Sequence, residues 1–182
     1  TPTKRAFEDN WLTVDLADEQ FDAVMGDGSI NMVGYPHDIR YLFERSYRWL
    51  KPTGRFAMRF FTRPDVAVTR DQLLSEAEHP TMSFSAFRRL LPMYIAANEG
   101  SCVPTRRMLE VFNELFPDRS TLTWDPEHIV SIDAYKDTDT TSWFPTRQEI
   151  RDFLHPLTQN VEFVESGTYD IAETCPILTF TQ

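Results

Sequence analysis

The chain has 182 residues, 41% of them hydrophobic, and its 18 Lys+Arg stand against 28 Asp+Glu, for a formal net charge of −10. That length accommodates one full hydrophobic core and hardly two. An acidic chain has no surplus of positive charge to displace phosphate counterions, which argues against nucleic acid or an anionic membrane surface as its main partner. No stretch approaches the ~20 apolar residues of a membrane helix, and the first residues lack the regions of a signal peptide, so a soluble, cytoplasmic protein is expected. The two cysteines, Cys102 and Cys175, belong to no Cys-x-x-Cys spacing and indicate neither a metal site nor a disulfide framework. Fourteen Phe argue against disorder, whose signature is scarce aromatics.

In chain order, residues 5–12 read as a strand leading into a turn, and residues 21–25 as a short apolar strand covered on both faces, ending at Gly26-Asp27-Gly28-Ser29. A helix follows, with Ile39, Leu42, Phe43, Tyr47 and Leu50 on one face and Arg40, Glu44, Arg45 and Arg48 on the other. Pro36 sits near its start, and Lys51-Pro52-Thr53-Gly54 stops it. Residues 55–61 form the next strand, with Phe56, Met58 and Phe60 facing one way and Ala57, Arg59 and Phe61 the other. Strand, strand, helix, strand favours an α/β sheet.

The middle of the chain is helical. Thr69 and Gln72 match a capping box that opens a helix as far as about residue 78. Phe84, Phe87, Leu91, Tyr94 and Ile95 form a second helical stripe, bent or ended near Pro92. Pro104 begins a third helix, with Met108, Leu109, Phe112, Leu115 and Phe116 on one face, and Asp125-Pro126-Glu127 caps a fourth. Thr146 and Glu149 make a second capping box, before a helix with Ile150, Phe153 and Leu154 inward. Two strands, residues 161–166 and 175–181, close the chain, and their short connection makes them antiparallel neighbours.

The run from Phe21 to Asn31, a helix, and the run from Trp49 to Arg59 together resemble the back half of class I S-adenosylmethionine-dependent methyltransferases. In that family the fourth strand reads like Phe-Asp-x-Val, and the following helix ends in Leu-Lys-Pro-Gly-Gly before the fifth strand; here Thr53 replaces the first glycine. Residues 144–154 and the final hairpin are similar to the family's last helix and last two strands. The resemblance implies an α/β, Rossmann-like methyltransferase sheet made of the later strands with a reversed last strand. Residues 1–66 and 143–182 form this partial domain, and residues 67–142 form a helical insertion or lid. The family's glycine-rich cofactor loop and the acidic residue ending its second strand are not in the sequence. The expectation is a C-terminal portion of a methyltransferase that binds S-adenosyl-L-methionine weakly or not at all on its own.

By resemblance, the turn Asp9-Asn10-Trp11 meets the adenine, and Asp27 and Gly28 lie beside the methionine part of the cofactor. The alternative for the first is an ordinary loop with Trp11 packed on the sheet edge. Asn31, Tyr35 and His37 follow on the same rim as candidates for contact with a small-molecule acceptor, and His37 is the one whose unperturbed pKa suits a base near neutrality. Arg59 and Arg63, at and beyond the end of the fifth strand, are either partners for an acidic substrate or members of ordinary ion pairs. Trp124, Trp143 and the Phe-rich helices either wall an apolar pocket or are simply core. A non-catalytic Rossmann-like interaction module is the competing reading. An α/β hydrolase is the poorer third, since no Gly-x-Ser-x-Gly turn is present.

Overall fold

The structure is a computed structural model that describes residue 6 and residues 8–182. Its elements are β1 (Phe21–Asp27), α1 (His37–Trp49), β2 (Leu50–Arg59), α2 (Arg70–Glu78), α3 (Phe84–Glu99), β3 (Cys102–Pro104), α4 (Thr105–Leu115), α5 (Pro126–Ile129), β4 (Thr141–Trp143), α6 (Arg147–Leu154), β5 (Glu162–Val164) and β6 (Ile177–Thr181). The main sheet has the order β1-β2-β6-β5. β1 is parallel to β2, while β6 is antiparallel to both β2 and β5, so three strands run one way and only β6 is reversed. This is an α/β fold with the expected later strands and reversed last strand. No helix among the described residues is long and apolar enough to cross a membrane.

One face of the sheet holds the first core. Phe56 of β2 stacks on Phe180 of β6 with ring centroids 4.5 Å apart, and Phe43 of α1 meets both. Phe153 of α6 reaches the same Phe43 at 6.4 Å, so α1 and α6 cover the same face. Burying each such aromatic ring contributes about 1.5–3 kcal/mol, and the apolar stripes of both helices are therefore held by the sheet. A second core lies within the helical layer, where Phe84, Phe87, Phe112, Phe116 and Trp124 pack largely edge to face or tilted. Trp124 and Trp143 are both buried core residues.

Four expectations are corrected. Arg5 and Phe7 of the expected first strand lie outside the described residues, but the rest of that stretch is irregular and ends in a turn at residues 11–13. The cause is local: Asp9 Oδ1 accepts the Asn10 amide and Asn10 Oδ1 accepts the Leu12 amide, each at 2.8 Å, so the side chains take the bonds a ladder would use. β1 is not covered on both faces, because the face that carries Ala23, Met25 and Asp27 is open, with Met25 77% exposed. α3 does not end at Pro92 but continues to Glu99. Proline removes one bond, the one to the Arg88 carbonyl, and buried Phe87, Leu91, Met93 and Ile95 on both sides of it hold the helix together. Finally, Lys51-Pro52-Thr53-Gly54 is not a turn before the strand but a bulge inside it, since Phe21 pairs with Leu50 and Ala23 already pairs with Arg55.

Other expectations match. Both capping boxes form, at Thr69 with Gln72 and at Thr146 with Glu149. The short β3–β4 ladder, antiparallel from Cys102 opposite Trp143 to Pro104 opposite Thr141, was not expected. Three residues per strand leave too little alternation to read.

The bulge explains Gly54 and exposes a strain at Thr53. A Cβ at Gly54 would lie 2.8 Å from the Lys51 carbonyl oxygen and 3.0 Å from that of Phe21. Thr53, a β-branched residue, sits at φ +72°, where glycine is unstrained. It is exposed, so its replacement disturbs no packing. Thr53→Gly is expected to raise the unfolding free energy in urea by about 1 kcal/mol, the left-handed penalty less the entropy of a freer unfolded chain; an unchanged or lowered midpoint would contradict the strain.

Candidate functional site

Parallel pairing brings the carboxyl ends of β1 and β2 to one rim, with Asp27 in register with Arg59. Arg59 donates from Nε to Asp27 Oδ1 at 2.5 Å and from Nη2 to Oδ2 at 2.7 Å, a bidentate pair. Its Nη1 donates to the Tyr169 hydroxyl at 3.2 Å. The Arg59 hydrogen bond holds the Asp27 carboxyl below its ordinary range, and Asp27, followed by Tyr169, pushes the Arg59 guanidinium further up. Both charges are satisfied by each other. The chain then turns at Gly28, whose φ is +66° and where a Cβ would meet the Phe61 ring at 2.9 Å, so only glycine lets the turn lie against that ring.

Beyond the turn, Asn31 is 1% exposed and nearly all of its amide is spent on backbone. Nδ2 donates to the Phe61 carbonyl at 2.8 Å and to the Trp143 carbonyl at 2.6 Å, while Oδ1 accepts the Phe61 amide at 2.9 Å. One side chain thus ties the turn after β1 to the end of β2 and to β4.

Above this rim lies a cavity of about 390 Å³, bounded by Gly28, Asn31 and Phe61 on the sheet side. The helical layer contributes Arg88 and Arg89 from α3, Met108 from α4, and Tyr135. Arg88 lies over the Tyr135 ring at 5.6 Å and donates to Ser131 Oγ at 3.0 Å. No Asp, Glu or His lines the cavity.

The other candidate residues are distributed around this rim. Tyr35 stacks on Trp143 with centroids 4.5 Å apart, and His37 is exposed at the start of α1. Arg63 is paired with Glu149 at 2.5 Å, the same carboxylate that closes the second capping box. Trp11 borders a different, apolar groove of about 240 Å³ with Val24, Met25 and Trp49. The structure brings Gly28 and Asn31 to the cavity and Asp27 and Arg59 to each other. Arg88 and Arg89 escaped the sequence reading because they fall between Phe87 and Leu91 of a stripe read as core; the available signal was a doublet of like charges one turn before a mid-helix proline.

No family model matches the chain, and no curated protein matches it. Solved structures do. A Rhodobacter sphaeroides protein named provisionally as a Zn-dependent alcohol dehydrogenase aligns with a TM-score of 0.51 at 13% identity, over 95% of this chain and 64% of that one. A SAM-dependent methyltransferase of Methanosarcina mazei aligns at 0.46 and 13%, over 95% and 63%. The (4+2)-cyclase SpnF aligns at 0.34 and 13%, over 95% and 53%. The chain spans less than two thirds of each, and similarity at this identity concerns the fold alone: a Rossmann-like α/β sheet.

The sequence resemblance, rather than the fold, raises the question of S-adenosylmethionine, whose ammonium and ribose hydroxyls call for acceptors. Asp27 gives both oxygens to Arg59, Asp9 Oδ1 accepts the Asn10 amide, and Asn10 Oδ1 accepts that of Leu12. Each of these oxygens keeps a second lone pair and Asp9 Oδ2 accepts no bond among the described residues, so acceptors for an ammonium or a hydroxyl remain, while the glycine-rich loop that the resemblance calls for is not in the sequence.

Asn31 ties the cavity's rim to β4 through three buried bonds. Asn31→Asp, which keeps the shape but sets a carboxylate against two carbonyls, is expected to lower stability by about 3 kcal/mol or more, and Asn31→Ala by about 2–3 kcal/mol. Urea unfolding measures both; losses below about 0.5 kcal/mol would mean the three backbone groups find other partners.

Proposed function

We propose that this chain is the acceptor-holding part of an S-adenosylmethionine-dependent methyl transfer to a small molecule. Three things support the reading. The motif order from Phe21 to Arg59 resembles the methyltransferase family, and the sheet order β1-β2-β6-β5 with one reversed strand is the arrangement that resemblance implies. The observation that carries it is the cavity, which opens where β1 and β2 end, the place where open α/β sheets hold their ligands.

In this reading the helices of residues 67–142 act as a lid over the acceptor. Gly28 and Phe61 shape its sheet side, and Asn31 fixes the rim so that the acceptor is held in one geometry. The cofactor supplies the methyl group when bound, and this sequence lacks the glycine-rich loop that the family resemblance assigns to holding it.

Methyl-labelled S-adenosylmethionine, incubated with the polypeptide encoded by the whole gene and a small-molecule extract, is expected to pass label to the small-molecule fraction. No transfer, or label in protein or RNA instead, would overturn the proposal. The 182-residue chain alone is expected to give no saturable heat on titration with S-adenosylmethionine; one-to-one binding would show that its own residues suffice.

A further inference from the structure

We infer that the cavity is a site for an organic carboxylate, with Arg88 and Arg89 receiving the carboxylate and Tyr135, Phe61 and Phe144 receiving its apolar body. The inference deepens the methyl-transfer reading and rests on it for the word acceptor, though not for the binding itself.

The charge of the cavity is the first ground. Arg88 and Arg89 both line it and both are half-buried, and neither forms an ion pair among the described residues. Arg88 spends one donor on Ser131, while Arg89 gives Nε to the Ser85 carbonyl at 3.3 Å and Nη1 to Cys175 Sγ at 4.0 Å. Each guanidinium has five N–H donors, and at least three on each are unbonded among the described residues. A guanidinium fork matches a carboxylate in two parallel bonds, and within a partly enclosed cavity those bonds are stronger than at an open surface.

The second ground is what the cavity lacks. An acceptor that must lose a proton, such as an alcohol or a protonated amine, calls for a nearby base. No Asp, Glu or His lines the cavity. On the methyl-transfer reading, an ionised carboxylate oxygen takes the methyl group as the sulfonium S–C bond breaks and S-adenosylhomocysteine leaves, with no proton to remove, so a cavity without Asp, Glu or His among the described residues suits it.

The third ground is size and surface. A cavity of about 390 Å³ falls within the range of small-molecule sites, ~300–1,000 Å³. Phe61, Phe144 and Tyr135 give it apolar and aromatic walls, and the Thr105 and Thr140 hydroxyls, 2.8 Å apart, bond each other. An aromatic or branched aliphatic acid fits these walls better than an inorganic anion.

The test is calorimetric titration of the 182-residue chain with 3-phenylpropanoate, benzoate and adipate, each against its methyl ester, and with inorganic phosphate. At least one carboxylate is expected to bind one-to-one, at least 10-fold more tightly than its ester and than phosphate. Arg88→Ala and Arg89→Ala are each expected to weaken it about 10- to 100-fold, with Arg→Lys variants intermediate. Equal binding of acid and ester, phosphate as the tightest ligand, or no carboxylate binding at millimolar concentration would overturn the inference. The acid–ester comparison uses the unaltered chain, so it stands even where a variant fails to fold. The titration contains no methyl donor. Carboxylate binding without any methyl transfer by the whole polypeptide would overturn the reaction and keep the site, whereas transfer to a neutral amine or alcohol would do the reverse.

Discussion

Everything proposed for this chain depends on one buried amide. Asn31 bonds backbone groups of Phe61 and Trp143, and those residues belong to different layers. Phe61 continues the sheet rim. Trp143 ends β4, whose side chain enters the sheet core while that of the next residue, Phe144, enters the helical core. The three bonds therefore fix the place where two separate hydrophobic cores meet, and hydrophobic packing, which is non-directional, would not fix it alone. A cavity that needs walls from both layers exists because that junction has a single geometry.

Charge is then distributed with a clear division. Along the rim, positive and negative groups cancel: Asp27 with Arg59, and Arg63 with Glu149. Inside the cavity they do not, and Arg88 and Arg89 stand without a carboxylate in a chain whose formal net charge is −10. The overall charge governs long-range encounter and would repel an anion at low salt. Short-range geometry governs what is held once inside, and there the donors are arginine.

The elements that could be read from the sequence are those where a local rule and the tertiary structure agree. The two Thr-x-x-Gln and Thr-x-x-Glu boxes, the α1 stripe of Ile39, Leu42 and Phe43, and the antiparallel closing strands formed as expected, whereas Arg45, read on the polar face of α1, is buried over the Trp49 ring and Leu50 opens β2. The residues around Asp9 and Asn10 misled because short polar side chains bond their own backbone, which the apolar pattern does not report. Exposure of β1 was illegible because an apolar run looks the same whether its second face is covered or open. Of the residues that line the cavity, Gly28 and Asn31 could be singled out from the sequence because they follow a strand that ends at a rim. Arg88 and Arg89 were not, because a helix 16 residues long had to be folded back over that rim before they became part of it.

The central claim is that sheet rim and helical layer together enclose one carboxylate site. A crystal structure of the 182-residue chain grown with 3-phenylpropanoate tests it most directly. The account predicts ligand density above Gly28 and Phe61, with the carboxylate within hydrogen-bonding distance of Arg88 or Arg89 and the ring against Tyr135 or Phe144. Density confined to the apolar groove beside Trp11, or a reversed ligand with its ring at the two arginines, would contradict it.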